Sequence, residues 1–424
     1  MAAPTIISML VTSMYNIADT FFVGQIDTQS TAAVGIVFAV MAIIQAVGFL
    51  FGQGAGVTIA QELGARDVAA ARKMAATSFV YAVVAGVLIT VAGLVFLRPI
   101  SLALGSTPTI LPYTERYMRI ILLGAPFITA SMTLNNQMRF QGNASMAMVG
   151  IVSGAVLNVV LDPILILGFN MGVAGAAIAT VSGQAFSFLL LMYMSRKGEN
   201  IRINLRNFAP TRKIIIDIMR GGTPSLTRQA LGSLATICLN VVASKYGDAA
   251  IAGMSIVTRI TFFVYSVIIG IGQGYQPLCG FCYGAALYGR VREGFWFCVK
   301  IGTAFLVVCA VLGFYYASMI VGIFRDDPDV IAIGTAAFRW QLVSYPLGAF
   351  MMMGNMLMQT IGKALKANIA AGSRRGLFFI PFIFILPRFF GLTGVEMCQA
   401  VSDVCAFALT VPLVYSELKK MKTD

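Results

Sequence analysis

Gly154-Ala-Val-Leu-Asn158-Val-Val-Leu-Asp162-Pro163-Ile-Leu-Ile-Leu-Gly168 is apolar except at Asn158 and Asp162. A four-residue interval stacks two side chains on one face of a helix, with Gly154 one turn earlier on the same face. The run belongs to a longer apolar segment, and about 20 such residues of helix span the hydrocarbon core of a bilayer. A carboxylate at the middle of such a helix costs about 2.5–3.5 kcal/mol on the insertion scale. Pro163 removes a backbone donor and bends the helix. Two unfavourable choices side by side imply a function, and we read the stretch as half of an ion-binding site.

The surrounding chain fits a membrane setting. Of the 424 residues, 58% are hydrophobic and 11% charged, the mean hydropathy is +0.85, and soluble domains carry about 25% charged residues. Spanning segments recur twelve times, with cores near 3–24, 31–60, 74–97, 117–140, 146–168 and 172–195 in the first half. The second half has them near 216–243, 249–284, 294–322, 330–361, 368–387 and 392–415. The net charge of +13 is read as a topology signal rather than a nucleic-acid footprint. Arg66, Arg72 and Lys73 follow the second span, and Arg196 to Lys213 bound a basic central loop. Arg290 and Arg292 follow the eighth, Lys363, Lys366, Arg374 and Arg375 the tenth, and Lys419, Lys420 and Lys422 end the chain. The opposite loops are short and acidic or neutral, so the positive-inside rule puts both termini in the cytoplasm. Met1 begins almost directly in apolar sequence, without a signal peptide's charged n-region or cleavage site.

Several function classes are excluded. The chain has no histidine, hence no histidine general base and no histidine-ligated zinc or haem. Its seven cysteines lie between Cys238 and Cys405. Cys279 and Cys282 form a C-x-x-C without a second pair, so the cysteines read as helix-packing residues. There is no G-x-x-x-x-G-K-[ST] loop for nucleotide hydrolysis. We expect no cofactor and no enzyme; uphill work must draw on an ion gradient or a separate subunit.

The chain is also duplicated. At an offset of 220 positions, Gly52-Gln53-Gly54 falls on Gly272-Gln273-Gly274, Pro126 on Pro346, Asn135 on Asn355 and Gly142 on Gly362. Six spans per half is an even number, so the halves cross in the same sense and should be related by an axis along the membrane normal. Extended further, the offset places Phe378 opposite Asn158 and Phe382 opposite Asp162. The polar pair therefore belongs to the first half alone.

Other polar residues interrupt the spans. Thr12, Tyr15, Asn16, Asp19 and Thr20 lie at helical spacing in the first. Asp19 reads either as part of a lined cavity or as a carboxylate at the outer helix end, and Asp162 as a functional acid or a brace for the Pro163 kink. Arg228 in the seventh span and Asp403 in the twelfth either pair structurally or face the substrate path. Glu396 and Arg259, nearer span ends, are expected to snorkel or line the mouth.

Four segments carry a family resemblance: Tyr15-Asn-Ile-Ala-Asp19-Thr-Phe-Phe-Val-Gly24, Asn158-x-x-x-Asp162-Pro163, Gly172-Val-Ala-Gly175-Ala-Ala-Ile-Ala-Thr180, and Arg374-Arg-Gly-Leu-Phe-Phe with Pro387-Arg-Phe-Phe-Gly-Leu-Thr-Gly394. In that order on a duplicated frame, they resemble the multidrug and toxic compound extrusion (MATE) family, closest to its MepA-like bacterial branch. The resemblance implies cation-coupled export of amphipathic, often cationic drugs by alternating access. It carries the coupling site onto Asp19, Asn158, Asp162 and Thr180, for a proton or for sodium. The acid that another branch of the family has in the seventh helix is missing from Pro224-Ser-Leu-Thr-Arg228-Gln-Ala-Leu-Gly232. The family's usual cytoplasmic lead is also short here, so Met1 reads as a truncated or alternative start.

The expected molecule is thus an all-α integral membrane protein of twelve helices in two six-helix lobes related by a parallel repeat. The first lobe is 1–195, the basic linker 196–213 and the second lobe 214–424. It is a monomer in the bacterial cytoplasmic membrane, with a proton favoured over sodium and Tyr15, Asn16, Arg228 and Asp403 as candidates for the substrate cavity. The alternative is a flippase for a lipid-linked precursor, which should need a more basic cavity to hold pyrophosphate. An integral-membrane enzyme is a third and remote reading.

Overall fold

The computed structural model describes residues 2–24, 26–197, 200–325 and 327–421, apart from the side chains of residues 16–21, 24 and 28. Among the described residues, twelve long helices carry the fold. They are α1 (Ala2–Gly24), α2 (Thr28–Gly64), α3 (Val68–Val95), α4 (Leu111–Phe140), α5 (Ala144–Gly168) and α6 (Val173–Ser195), then α7 (Arg212–Ala243), α8 (Asp248–Gly284), α9 (Tyr288–Phe324), α10 (Pro328–Thr360), α11 (Ala364–Phe390) and α12 (Leu392–Leu418). Among the described residues, ten are long and apolar enough to cross a membrane. The other two are α1 and α10, and α10 shows why hydropathy understates it. Its Gln341, Ser344, Asn355 and Gln359 are buried among other helices rather than set against lipid, where polar side chains can bond between helices.

The chain divides into two compact units, Met1–Leu226 and Thr227–Asp424. In the first, α4 is the central post, packing against α2, α3, α5 and α6. Gln137 donates to Ala75 O (3.1 Å) and Ser78 Oγ (2.8 Å) on α3, while Ser131 and Ser187 pair their hydroxyls at 3.0 Å across to α6. In the second unit, α10 packs against α8, α9, α11 and α12 in the same way.

The 220-residue offset is visible in atomic detail within each unit. Asn135 donates to Ala147 O and Asn355 to Ala367 O, both at 2.7 Å, tying the fourth and tenth helices to the ones that follow. The turns between them hold Gly142 at φ 94° and Gly362 at φ 76°, a region open to glycine and strained for other residues. Composition alone would not reproduce matched bonds at matched positions.

Both α5 and α11 contain a π-turn, at Ile164–Gly168 and Ser373–Leu377. The turn in α11 inserts a residue before the positions matching Asn158 and Asp162. The buried residues there are accordingly Phe379 and Ile383, one place later than the simple offset gives for Phe378 and Phe382. Both are apolar, so the asymmetry between the halves stands.

The basic central segment is not a free tether. Ile201 is buried with Ala55, Met74 and Ile218, the Ile201 N–H donates to Gln141 Oε1 (2.7 Å), and the Ala209 N–H donates to Thr77 Oγ1 (3.0 Å). The early part of α7 also packs in the first unit. Gly54 faces Ile218 and Gly221 with no room for a side chain, and Ser225 donates to Gln53 at 3.3 Å. The unit boundary at Leu226–Thr227 thus falls inside α7.

Candidate functional site

Helices α5 and α6 approach closely because small residues face each other. A Cβ on Gly154 would lie 2.6 Å from Gly183 O, and one on Gly183 would lie 2.6 Å from Gly154 O. One turn from this contact, Asn158 Nδ2 donates to Thr180 Oγ1 at 3.4 Å. Asp162 follows one further turn along α5, immediately before Pro163 and the π-turn. Asn158, Asp162 and Thr180 are 3%, 0% and 4% exposed. None of the three faces lipid. The start of α6 closes over the π-turn, where Gly175 lies so near the Leu165 carbonyl that a Cβ would meet it at 3.0 Å.

The arrangement concentrates oxygen ligands in an apolar bundle. Thr180 Oγ1 keeps lone-pair capacity beyond the bond from Asn158, and Asn158 Oδ1 accepts no hydrogen bond among the described residues. With the Asp162 carboxylate, this set suits a proton or a hard monovalent cation. Helix α1 packs along α5 and bears half-buried Tyr15. The side chains of Asn16 and Asp19 lie outside the described residues.

In the second unit, the two charges singled out in the sequence do not meet each other. Asp403 is held by Arg374, through Nε to Oδ1 (2.7 Å) and Nη2 to Oδ2 (3.1 Å). Ser344 Oγ (2.9 Å) and Gln399 Nε2 (2.7 Å) donate to it as well. The Arg374 guanidinium also lies over the Tyr265 ring, 4.3 Å from its centroid. Arg228 donates instead to Asn355 Oδ1 at 3.0 Å. The positive-inside pattern counts Arg374 and Arg375 with the cytoplasmic charges after the tenth span, although the 368–387 core contains them; both lie within α11, ten or more residues past the Gly362 turn. That distance from the turn, with a buried Asp403 in need of a cation, was the available signal. Lys366, at the start of α11, does lie near an end, where it pairs with Glu417.

Comparison with known proteins agrees with this architecture. The MatE family model matches residues 4–164 and 224–385. A multidrug export protein, MepA, from Staphylococcus aureus (strain MSSA476) is 29% identical over 425 residues, covering 99% of this chain and 93% of that protein. A multidrug resistance MATE family transporter of the MOP superfamily, solved in an outward-facing conformation, superposes with a TM-score of 0.94 at 28% identity, covering 99% of this chain and 95% of that one. A MOP superfamily transporter from Pyrococcus furiosus, described as having a binding pocket of reverse polarity, matches with a TM-score of 0.94 and 28% identity over 100% of this chain and 95% of its own. With two matched segments covering both halves of a duplicated helical frame, the chain belongs to the MatE family of multi-pass membrane transporters.

Proposed function

We propose that this protein is a multidrug exporter that couples efflux of amphipathic, often cationic compounds to the entry of a proton, by alternating access. The observation that carries the reading is the fully buried Asp162 beside the Asn158–Thr180 contact, at a place where the duplicated half has Phe379 and Ile383. Fold symmetry does not require a carboxylate there. Enclosing a carboxylate in an apolar bundle is unfavourable unless its charge is compensated. A conformation that encloses Asp162 therefore favours uptake of a proton or sodium, and one that opens to water favours its release. Asp19 is kept as a coupling candidate on the family resemblance of its motif, Tyr15 to Gly24. The multidrug export function of the staphylococcal relatives supports the substrate class.

Tyr15 and Asn16 remain our candidates for the substrate path. We assign Arg228 and Asp403 to bracing the second unit, since both are engaged by buried partners. The protein is taken to work as a monomer in the bacterial cytoplasmic membrane with both termini inside. Reconstituted vesicles loaded with ethidium test the coupling. An imposed pH gradient should drive efflux and a sodium gradient alone should not; efflux under sodium alone would reassign the ion, and efflux under neither would remove the reading.

A further inference from the structure

Two adjacent arginines on a regular helix diverge by about 100° around the axis. In α11 they sit on the π-turn Ser373–Leu377, whose wider turn narrows that divergence, and both line one cavity. Its walls come from five helices of the second unit, including Thr236 of α7, Thr258 of α8, Gln341 of α10 and Gln399 of α12. The two arginines are not equivalent. Asp403 neutralises Arg374 through a two-point contact. Among the described residues, Arg375 makes no ion pair or hydrogen bond, and Asp403, already held by Arg374, acts on it only through space. Its side chain lies beside Gly232 of α7, 3.8 Å from where a Cβ would stand, so a larger residue there would crowd it.

Of the other polar groups, Gln341 adds donors beside Arg375, whereas Gln399 and the two threonines leave acceptor oxygens. Gln341 Oε1 is taken by the Thr261 hydroxyl, which leaves the Gln341 amide N–H groups to the cavity. Gln399 turns its amide nitrogen toward Asp403. The hydroxyls of Thr236 and Thr258 donate to carbonyls of their own helices. An unpaired guanidinium inside a membrane helix bundle is costly and marks function more often than packing. Guanidinium also matches a carboxylate with paired N–H donors. The open volume is about 20 Å³, room for one water-sized group.

The geometry points to an anion-binding site at Arg375, completed by Gln341, with room for a halide or for one oxygen of a carboxylate. The occupant is either a free inorganic or organic anion or the carboxylate of a zwitterionic transported compound. The second case rests on the drug-export function proposed above; the first does not.

Two measurements on the full-length protein separate these sources. In the first, thermal unfolding of the purified protein is followed in sodium formate, chloride or gluconate at equal ionic strength. Binding to the folded state raises the melting temperature with ligand concentration. Formate or chloride should stabilise the wild type relative to bulky gluconate, and Arg375→Gln should erase the difference. In the second, vesicle efflux is compared for a fluorescent fluoroquinolone and its methyl ester. The free acid should show a KM several-fold lower in the wild type and no advantage in Arg375→Gln. An effect in the first assay identifies a free anion, and one confined to the second identifies the carboxylate of the transported compound. Should Arg375→Gln fail to fold, the wild-type comparisons decide alone. Equal melting in all three salts, with equal handling of acid and ester, would overturn the site.

Discussion

Replacing Asp403 by asparagine tests whether the second unit is braced by charge. The Asp403 side chain is 1% exposed and that of Arg374 18%. Two arginine N–H groups, the Ser344 hydroxyl and the Gln399 amide converge on its two oxygens. Asparagine keeps the shape but offers one carbonyl oxygen, and its NH2 must face donors. Removing one partner of a buried ion pair costs about 3–5 kcal/mol, chiefly because the other charge stays buried and uncompensated. Asp403→Asn should therefore lower stability by about that amount, read as a reduced midpoint for unfolding in detergent or in reconstituted vesicles. Arg374→Gln should do the same. The double variant should recover much of the loss, since neither charge is then stranded, with a coupling energy of about 0.5–3 kcal/mol for groups in contact. An Asp403→Asn protein as stable as the wild type would refute the reasoning. So would a double variant whose loss equals the sum of the two single losses.

Asp162→Asn should unfold within about 1 kcal/mol of the wild type or be stabilised, because a neutral amide is cheaper to bury, yet gradient-driven efflux per inserted molecule should vanish; retained efflux would remove Asp162 from the coupling site. Gly183→Ala forces a Cβ to within 2.6 Å of Gly154 O, so the α5–α6 contact should open at a cost of about 1–3 kcal/mol, with efflux falling as Asn158 and Thr180 separate. Asn135→Leu and Asn355→Leu should each remove a buried hydrogen bond, to Ala147 O or Ala367 O, at about 0.5–1.5 kcal/mol. The second should cost more, because Arg228 also loses its acceptor, and denaturant midpoints measured side by side check the order.

Much of the fold could be read from the sequence, for a physical reason. In a bilayer every backbone polar group must be satisfied within its own segment, so apolar length maps almost directly onto helices. The offset of 220 had the same directness, since Asn135 and Asn355, polar in apolar helices, needed acceptors, and each found one at the same place. Around the candidate site, Asn158, Asp162 and Thr180 could be named from spacing and resemblance together. Their burial, and the Gly154–Gly183 contact that brings α5 to α6, required coordinates.

What escaped the sequence were features set by backbone irregularity and long-range pairing. Loop counting treats an arginine soon after a span as cytoplasmic, and Arg374 and Arg375 fell to that rule although they belong inside α11. Asp403 was visible as an intramembrane acid, but several arginines could have answered it, and only packing selects Arg374 over Arg228. The extent of α7 was legible too. That its early part packs with α2 while Arg228 bonds to α10 depends on the small pair Gly54 and Gly221 and on Asn355, residues far apart in the chain.

The two π-turns show how one duplicated helix pair came to hold different chemistry. In α5 the turn follows Asp162, so the regular helix before it keeps Gly154, Asn158 and Asp162 in one stripe facing α6. In α11 the turn precedes the equivalent positions, moves Phe379 and Ile383 inward, and turns Arg374 and Arg375 to the same interior. A one-residue insertion in a helix changes which residues face the core in everything after it. Displacing the π-turn along a common frame can therefore exchange an acidic stripe for a basic one without altering the packing of the central posts α4 and α10. Asp162 in α5 and Arg375 in α11 then leave related stretches of the two units with charges of opposite sign.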